Sequence, residues 1–242
     1  MSQAPVSTGW LKCDFHIHSW EDPHDELDHS AEELLHRAHA LGYGALAITL
    51  HGHVLTRPEL FELAQELGIL LIPSGELRIE GADVVVLNIT EEEAAALRSF
   101  DDLAALRRRR WRSMLVMAPH PFFLLGNSIG ARLVKHIDCF DAIEYCHFHT
   151  AGLNMNESGM ALANKYRKPV LATSDAHLLK FFGDHYSLVE VSSVPKIEDM
   201  FDAIRAGRIE RVSPPWPWRK FAGYLFYIAV THPLQRTFNR LS

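Results

Sequence analysis

Short apolar runs alternate with longer segments of helical periodicity along most of the chain. Cys13 to Ile17 is the first such run. Ser30 and Glu33 then have the spacing of a capping box, and Leu34, Leu35, Ala38 and Leu41 recur at helical intervals before Gly42. Ala45 to Leu50 is continuously apolar, as expected for a strand buried on both faces. The cycle predicts a helix over Pro58 to Leu67, a strand Ile69 to Ile72 leading into Gly75-Glu76, and an extended run Val84 to Ile89. A helical stretch from Glu91 to Arg110, broken near Phe100, is followed by strands Met114 to Met117 and Ala142 to Tyr145. A helix Glu157 to Tyr166, strands Val170 to Thr173 and Leu188 to Val191, and a helix Lys196 to Ala206 complete the pattern. Alternation of this kind, about seven units long, predicts an α/β sheet or barrel with helices outside.

The polar residues that interrupt this pattern are concentrated at strand ends. His16 and His18 close the first run, His51 the second, Glu76 follows the third, and His120, Asp175 and His177 follow later ones. Residues two apart on a strand project to one face, so His16 with His18, and Asp175 with His177, can each present two donors to one cation. In barrel enzymes the C-terminal strand ends form the active face, so these positions converge although the sequence spreads them widely. Imidazole and carboxylate suit zinc, manganese or iron(II), and a carboxylate can bridge two cations.

Composition narrows the partners. The chain has 242 residues, 30 acidic and 24 basic, a net charge of −6 and fifteen histidines. That balance disfavours a general nucleic-acid coat without excluding nucleic acid, and it allows a small phosphorylated substrate if metals supply positive charge. Cys13, Cys139 and Cys146 form no Cys-x-x-Cys pair and are expected to be small buried hydrophobes in a reducing compartment. Met1 to Trp10 lacks the pattern of a secretory signal and no run reaches the ~20 apolar residues of a membrane span, so a cytoplasmic protein is expected. Composition shifts near Pro214, dividing a barrel domain (1–213) from a tail (214–242) whose apolar run Phe221 to Val230 is expected to pack on the barrel or on a partner, including a second copy. Arg219, Lys220, Arg236 and Arg240 make a membrane-surface anchor the lesser reading of that tail.

Five segments in order, Phe15-His16-Ile17-His18-Ser19, Ile48-Thr49-Leu50-His51, Gly75-Glu76, Ala118-Pro119-His120-Pro121 and Ala172-Thr173-Ser174-Asp175-Ala176-His177, resemble the polymerase and histidinol phosphatase (PHP) family over roughly residues 12 to 206. The resemblance implies a distorted (β/α)7, TIM-like barrel and a metal-dependent phosphoesterase with two or three divalent ions. By position it places His16, His18, Glu76 and Asp175 around one metal, with Glu76 bridging to a second bound by His120. His24, or Asp25 in its place, joins His51 and His177 around a third. Two departures stand out. Leu50 occupies a position where many members carry Asp, so His51 is expected to be held differently, and Asp83 replaces a histidine ligand of the second metal.

Phosphate esters repel hydroxide, and cations counter this by neutralising charge and lowering the pKa of bound water to about 7. Asp175, His120 and His177 are the candidates for direct catalytic work, either histidine serving as proton donor to the leaving group. Arg57, Arg78, His147, His149 and Asn154 are the candidates for substrate contact. His29, His36, His39 and His136 fall outside this set, His53 and His185 border it, and the Arg107 to Arg110 run with Arg112 reads as a solvated helix end. Two other readings are a metal-dependent amidohydrolase, whose pattern normally adds a lysine or histidine pair on middle strands and which the Gly75-Glu76 and Ser174-Asp175-Ala176-His177 segments fit less well, and a metal-binding regulatory domain with decayed chemistry.

Overall fold

The computed structural model describes residues 8–123, 127–192 and 196–227. Ten strands form one sheet. The chain begins with β1 (Thr8–Ile17), α1 (Ala31–Ala40), β2 (Ala45–His51), α2 (Pro58–Glu66), the short β3 (Leu70–Leu71), β4 (Ser74–Ile79) and β5 (Ala82–Leu87). Next come α3 (Glu91–Ala96), α4 (Phe100–Arg109), β6 (Leu115–Ala118), β7 (Ala142–Tyr145), α5 (Asn156–Tyr166) and β8 (Val170–Ala172). The described part ends with β9 (Tyr186–Ser192), α6 (Ile197–Arg205), β10 (Ile209–Val212) and α7 (Trp218–Phe226). Capping boxes at Ser30, Thr90 and Ser99 start α1, α3 and α4, so Ser99 supplies the break expected near Phe100.

The strand order is β10-β9-β1-β2-β4-β5-β6-β7-β8, with β3 beside β2. β1, β2 and β4 are parallel neighbours, as are β6, β7 and β8. Between these two groups β5 runs antiparallel to both its neighbours. It is joined to β4 by Glu80-Gly81, with φ of 47° and 79°, the positive pair that a tight two-residue hairpin requires. This hairpin and the antiparallel β9 and β10 are the distortions that uniform βα alternation does not predict. The sheet curls into a nearly closed barrel. Its seam joins β1 to the segment after β8, through Asp175 N donating to His16 O at 2.8 Å and a bridge between Ile17 and Ala176.

Alternation along the strands builds two packed layers. Ala45 and Ala47 of β2 face a core with Cys13, Phe15, Val85, Leu87, Leu115, Met117 and the α6 residues Met200 and Phe201. Leu46, Ile48 and Leu50 point the other way, against Leu34, Leu35 and Leu60 of the covering helices. β1 cannot follow this alternation to its end. Asp14 pairs with Leu46 but Ile17 pairs with Ile48, so three steps on β1 match two on β2. That bulge reverses the faces, and where Cys13 and Phe15 face the core, His16 and His18 take over the inner face while Ile17 turns outward into the helical layer.

All three cysteines are free and buried. No helix among the described residues is long and apolar enough to cross a membrane. After β10 the chain folds back onto the barrel. Trp216 N donates to His149 O at 2.8 Å, and Phe221 and Tyr224 of α7 pack with Phe148 and Trp216. The remainder of the apolar run, with Arg236 and Arg240, lies outside the described residues.

Candidate metal centre

The bulge and the seam together bring four donors around one point. His16 Nε2 lies 3.2 Å from His18 Nε2 and 3.3 Å from Glu76 Oε2. Asp175 Oδ1 is 3.5 Å from His16 Nε2 and 3.2 Å from His18 Nε2, and His18 Nε2 is 3.5 Å from Glu76 Oε2. A cation at roughly 2.0–2.1 Å from four tetrahedral ligands has those ligands roughly 3.3–3.4 Å apart. The spacing of His16, His18 and Asp175 therefore fits one metal ion, and Glu76 Oε2 lies beside both histidines.

Two further groups share these residues. Glu76 turns its other oxygen, Oε1, to His120 Nε2 at 3.1 Å, the disposition of a carboxylate that can bridge two cations. His18, His51 and His177 form the third group, their imidazole donors close enough to hold an ion. His18 stacks on His51 with ring centres 4.5 Å apart, and the ring of His177 lies tilted against it at 4.3 Å. His120 and Asp175 also hold left-handed backbone conformations, with φ of 27° and 44°, which cost energy for residues other than glycine and cluster at functional sites.

Charge explains why these groups tolerate burial. Burial alone would strip protons from His16, His18 and His120, but the facing carboxylates more than offset it. His16 is held well above its ordinary value and His18 and His120 are raised to about 9, while Glu76 and Asp175 are held well below theirs despite burial. Protons on imidazole thus balance the carboxylates, and divalent cations can replace those protons. His177 differs. Burial and the neighbouring His18 lower it to about 4, so it is a neutral imidazole suited to coordination.

Partners outside the donor groups fix their orientation. Glu144, buried on β7, lies 2.9 Å from His16 Nδ1 and also accepts from the His120 backbone and from Thr173 Oγ1. Asp22 accepts from the backbone of His51 at 2.7 Å, and its Oδ2 lies 2.7 Å from His51 Nδ1. Leu50, by contrast, is buried under the helices. His51 is therefore held from the loop after β1 rather than from its own strand. Sequence reasoning missed both acids: Glu144 could have been found as another carboxylate ending an apolar strand, whereas Asp22 carries no periodic signal.

The remaining candidates divide. Asp83 shares the inner face with Glu76 but is 2.6 Å from Arg78 Nε, outside the three close donor groups, and burial raises it to about 6. Asp25 Oδ2 lies 3.4 Å from His177 Nε2, whereas His24 stacks on His53 at 5.5 Å. His24, Asp25, Arg78 and Asp83 all line an open cavity of about 460 Å³ above the donors. His147 lines an adjoining lobe of about 190 Å³. Arg57, His149 and Asn154 line neither. Arg57 is half exposed and paired with Glu59 at 2.7 Å, His149 lies 3.2 Å from Ser213 Oγ, and Asn154 is occupied by Tyr145 Oη and the backbone of Asn156.

Residues 154–209, which include Asp175 and His177, match the family model described as PHP-associated. The chain has the PHP fold. A two-domain Bacteroides vulgatus protein described as containing a predicted PHP-like metal-dependent phosphoesterase superposes with a TM-score of 0.63 at 17% identity, over 87% of this chain and 68% of that one. PsfC from Pseudomonas syringae gives 0.64 at 18% identity, over 84% of this chain and 91% of its own. The lesion-specific endonuclease EndoQ from Pyrococcus furiosus gives 0.59 at 13% identity, over 84% and 58%. No curated protein sequence matches.

Proposed function

We propose that this chain is a metal-dependent phosphoesterase that hydrolyses a phosphate ester of a small metabolite or nucleotide with two or three divalent ions, zinc, manganese or iron. The observation that carries this reading is Glu76, whose two oxygens face the His16-His18-Asp175 set and His120 respectively. His16, His18, Glu76 and Asp175 would hold one ion, Glu76 and His120 a second, and His51 and His177, with Asp25 near by, a third. Bound there, the ions would neutralise phosphoryl charge and bring the pKa of bound water to about 7.

The protein's own residues supply position and exclusion. Glu144 and Asp22 lock His16 and His51 in orientation, which in metal sites is worth 10- to 100-fold in affinity or activity. Asp175, His120 and His177 would act by holding cations beside the reacting phosphate, the neutral His177 as a ligand only. Arg78 stands at the rim, bound to Asp83 and, at 2.8 Å, to Asn127 Oδ1, and is the cation placed to meet an incoming anion. Likeness to an endonuclease favours nucleic acid as a second reading, against which stands the net charge of −6.

Metal content and phosphate release from an aryl phosphate test the proposal, measured for the wild type and for His16→Ala and Asp175→Ala. The wild type should bind two or three ions and release phosphate, and both variants should lose most of each. Bound ions with no release across a broad ester panel would point instead to C–N bond hydrolysis or to a regulatory domain.

A further inference from the structure

We infer that the segment following the barrel completes the active site, with Tyr224 contacting the substrate and the lobe beside it seating one substituted planar ring as the leaving group. This rests on the phosphoesterase reading. Tyr224 is 4% exposed, yet it lines both the main cavity and the adjoining lobe. Its ring is wedged among Phe181, Trp216 and Phe148, with centres 5.1, 5.4 and 5.6 Å away. Trp216 is itself pinned, its indole Nε1 donating to His185 Nε2 at 2.6 Å. A side chain held this firmly pays little ordering entropy on binding. Burial, reinforced by the negative charge of Asp175, keeps the phenol protonated, so towards an ester oxygen it is a hydrogen-bond donor.

The lobe has a mixed lining. The metal donors, with Asp83 and Asn127, are the polar part of its lining, and Phe123, Cys146, Phe148 and Tyr224 the apolar and aromatic part. His147 joins the second part as a neutral group, burial having lowered it to about 4. A phosphoryl group at the donors can set its ester group against the aromatic part of this lining, which favours planar rings by offset or edge-to-face contact. The lobe's volume is about 190 Å³. An apolar cavity of about 150 Å³ admits benzene, so a lobe of this size can seat one ring with a small substituent.

Two measurements on the metal-loaded protein test this. Binding of phenylphosphonate and methylphosphonate is compared by calorimetry, and hydrolysis of phenyl phosphate is compared with that of glycerol 3-phosphate. Each is run for wild type, Tyr224→Phe, Tyr224→Ala and Trp218→Ala, the last an exposed position on the same helix. We expect wild type and Trp218→Ala to favour the phenyl compounds at least tenfold. Tyr224→Ala should lose that preference through a raised KM with metal content unchanged, and Tyr224→Phe should keep it while kcat falls several-fold. Equal binding of the two phosphonates by wild type, or full preference in folded Tyr224→Ala, overturns the inference. If Tyr224→Ala does not fold, an unchanged kcat in Tyr224→Phe overturns the contact. Hydrolysis without ring preference sinks the lobe assignment alone, whereas ring preference without phosphate release sinks the phosphoesterase reading and leaves Tyr224 and the lobe standing.

Discussion

The two ends of this barrel both bury carboxylates, but they neutralise them differently. At the N-terminal end of β7, Asp141 accepts from Arg107 at 2.6 Å and from Arg205 at 3.0 Å, and also from Val116 N at 3.0 Å. Guanidinium cannot give up its proton in a protein, so that balance is permanent. At the mouth, Glu76 and Asp175 face imidazoles, whose protons can leave and be replaced by cations. A carboxylate matched by arginine holds the fold together. One matched only by histidine is available for chemistry.

The sharpest way to break this contrast is to remove a shared donor. Glu76→Gln keeps the side-chain volume but weakens both facing donor sets at once. Metal-ion stabilisation of a phosphoryl transition state is worth several kcal/mol, at 1.36 kcal/mol per decade, so phosphate release should fall by about 10³-fold. Metal analysis should show fewer bound ions. Full metal content with full activity would show that the bridging position is incidental.

At the other end, Asp141→Ala should do the reverse. It leaves two partly buried guanidinium groups without their partner, a loss that costs up to about 3–5 kcal/mol for fully buried pairs and less here because Arg107 keeps 24% of its side-chain surface exposed. Denaturation midpoints should drop while metal content and kcat stay near wild type. The pH dependence has a definite sign. Burial raises Asp141, but the hydrogen bonds from Arg107 and Arg205 more than offset this and leave its pKa below the ordinary value of 3.8. Its contribution is therefore fully present above the unfolded carboxylate pKa and lost as pH falls through the lower folded one, below about 4. A stability loss centred near neutrality would have to come from elsewhere.

How much of this could be read beforehand depends on which physical signal each residue leaves. Strand ends carrying His16, His51, Glu76, His120 and Asp175 stood out because a polar group closing an apolar run breaks a strong period. The bulge left no such trace, since Cys13-Asp14-Phe15-His16 reads as ordinary alternation and only pairing with β2 shows the extra step. The antiparallel β5 was hidden for a similar reason. Glu80-Gly81 marks a turn, but strand direction is a tertiary property. Arg107 and Arg110 looked like a solvated helix end, yet they pair with Asp141 and Glu93 from distant segments. Asn154 and His149 sit near the expected mouth in sequence, but Asn154 is consumed by hydrogen bonds to Tyr145 and Asn156 and His149 faces the distant Ser213, which composition does not reveal.

A smaller effect probes how His51 is oriented. Asp22→Asn keeps the shape of the loop but removes the charge beside His51 Nδ1, and outer partners of metal-binding histidines are worth about 10- to 100-fold in affinity or activity. The loss should fall on the third ion, the one that His51 and His177 would hold. Titrating metal into this variant should weaken one class of site and leave the others unchanged. A uniform loss over all sites would mean that Asp22 supports the whole mouth rather than one ligand.

The smallest change needs no mutation. In the ion-free protein His18 and His120 hold protons up to about pH 9, because burial is more than offset by Glu76, Asp175 and, for His18, Asp22. A cation binding there must displace them, so apparent metal affinity should rise with pH, by about tenfold per unit for each proton released, and level off above about 9. Calorimetry in two buffers of different ionisation heat counts the protons. Affinity independent of pH between 6 and 8, in any experiment, would mean that the imidazoles enter binding already neutral. The charge balance at the mouth would then be as fixed as that around Asp141, and the difference between the two ends would disappear.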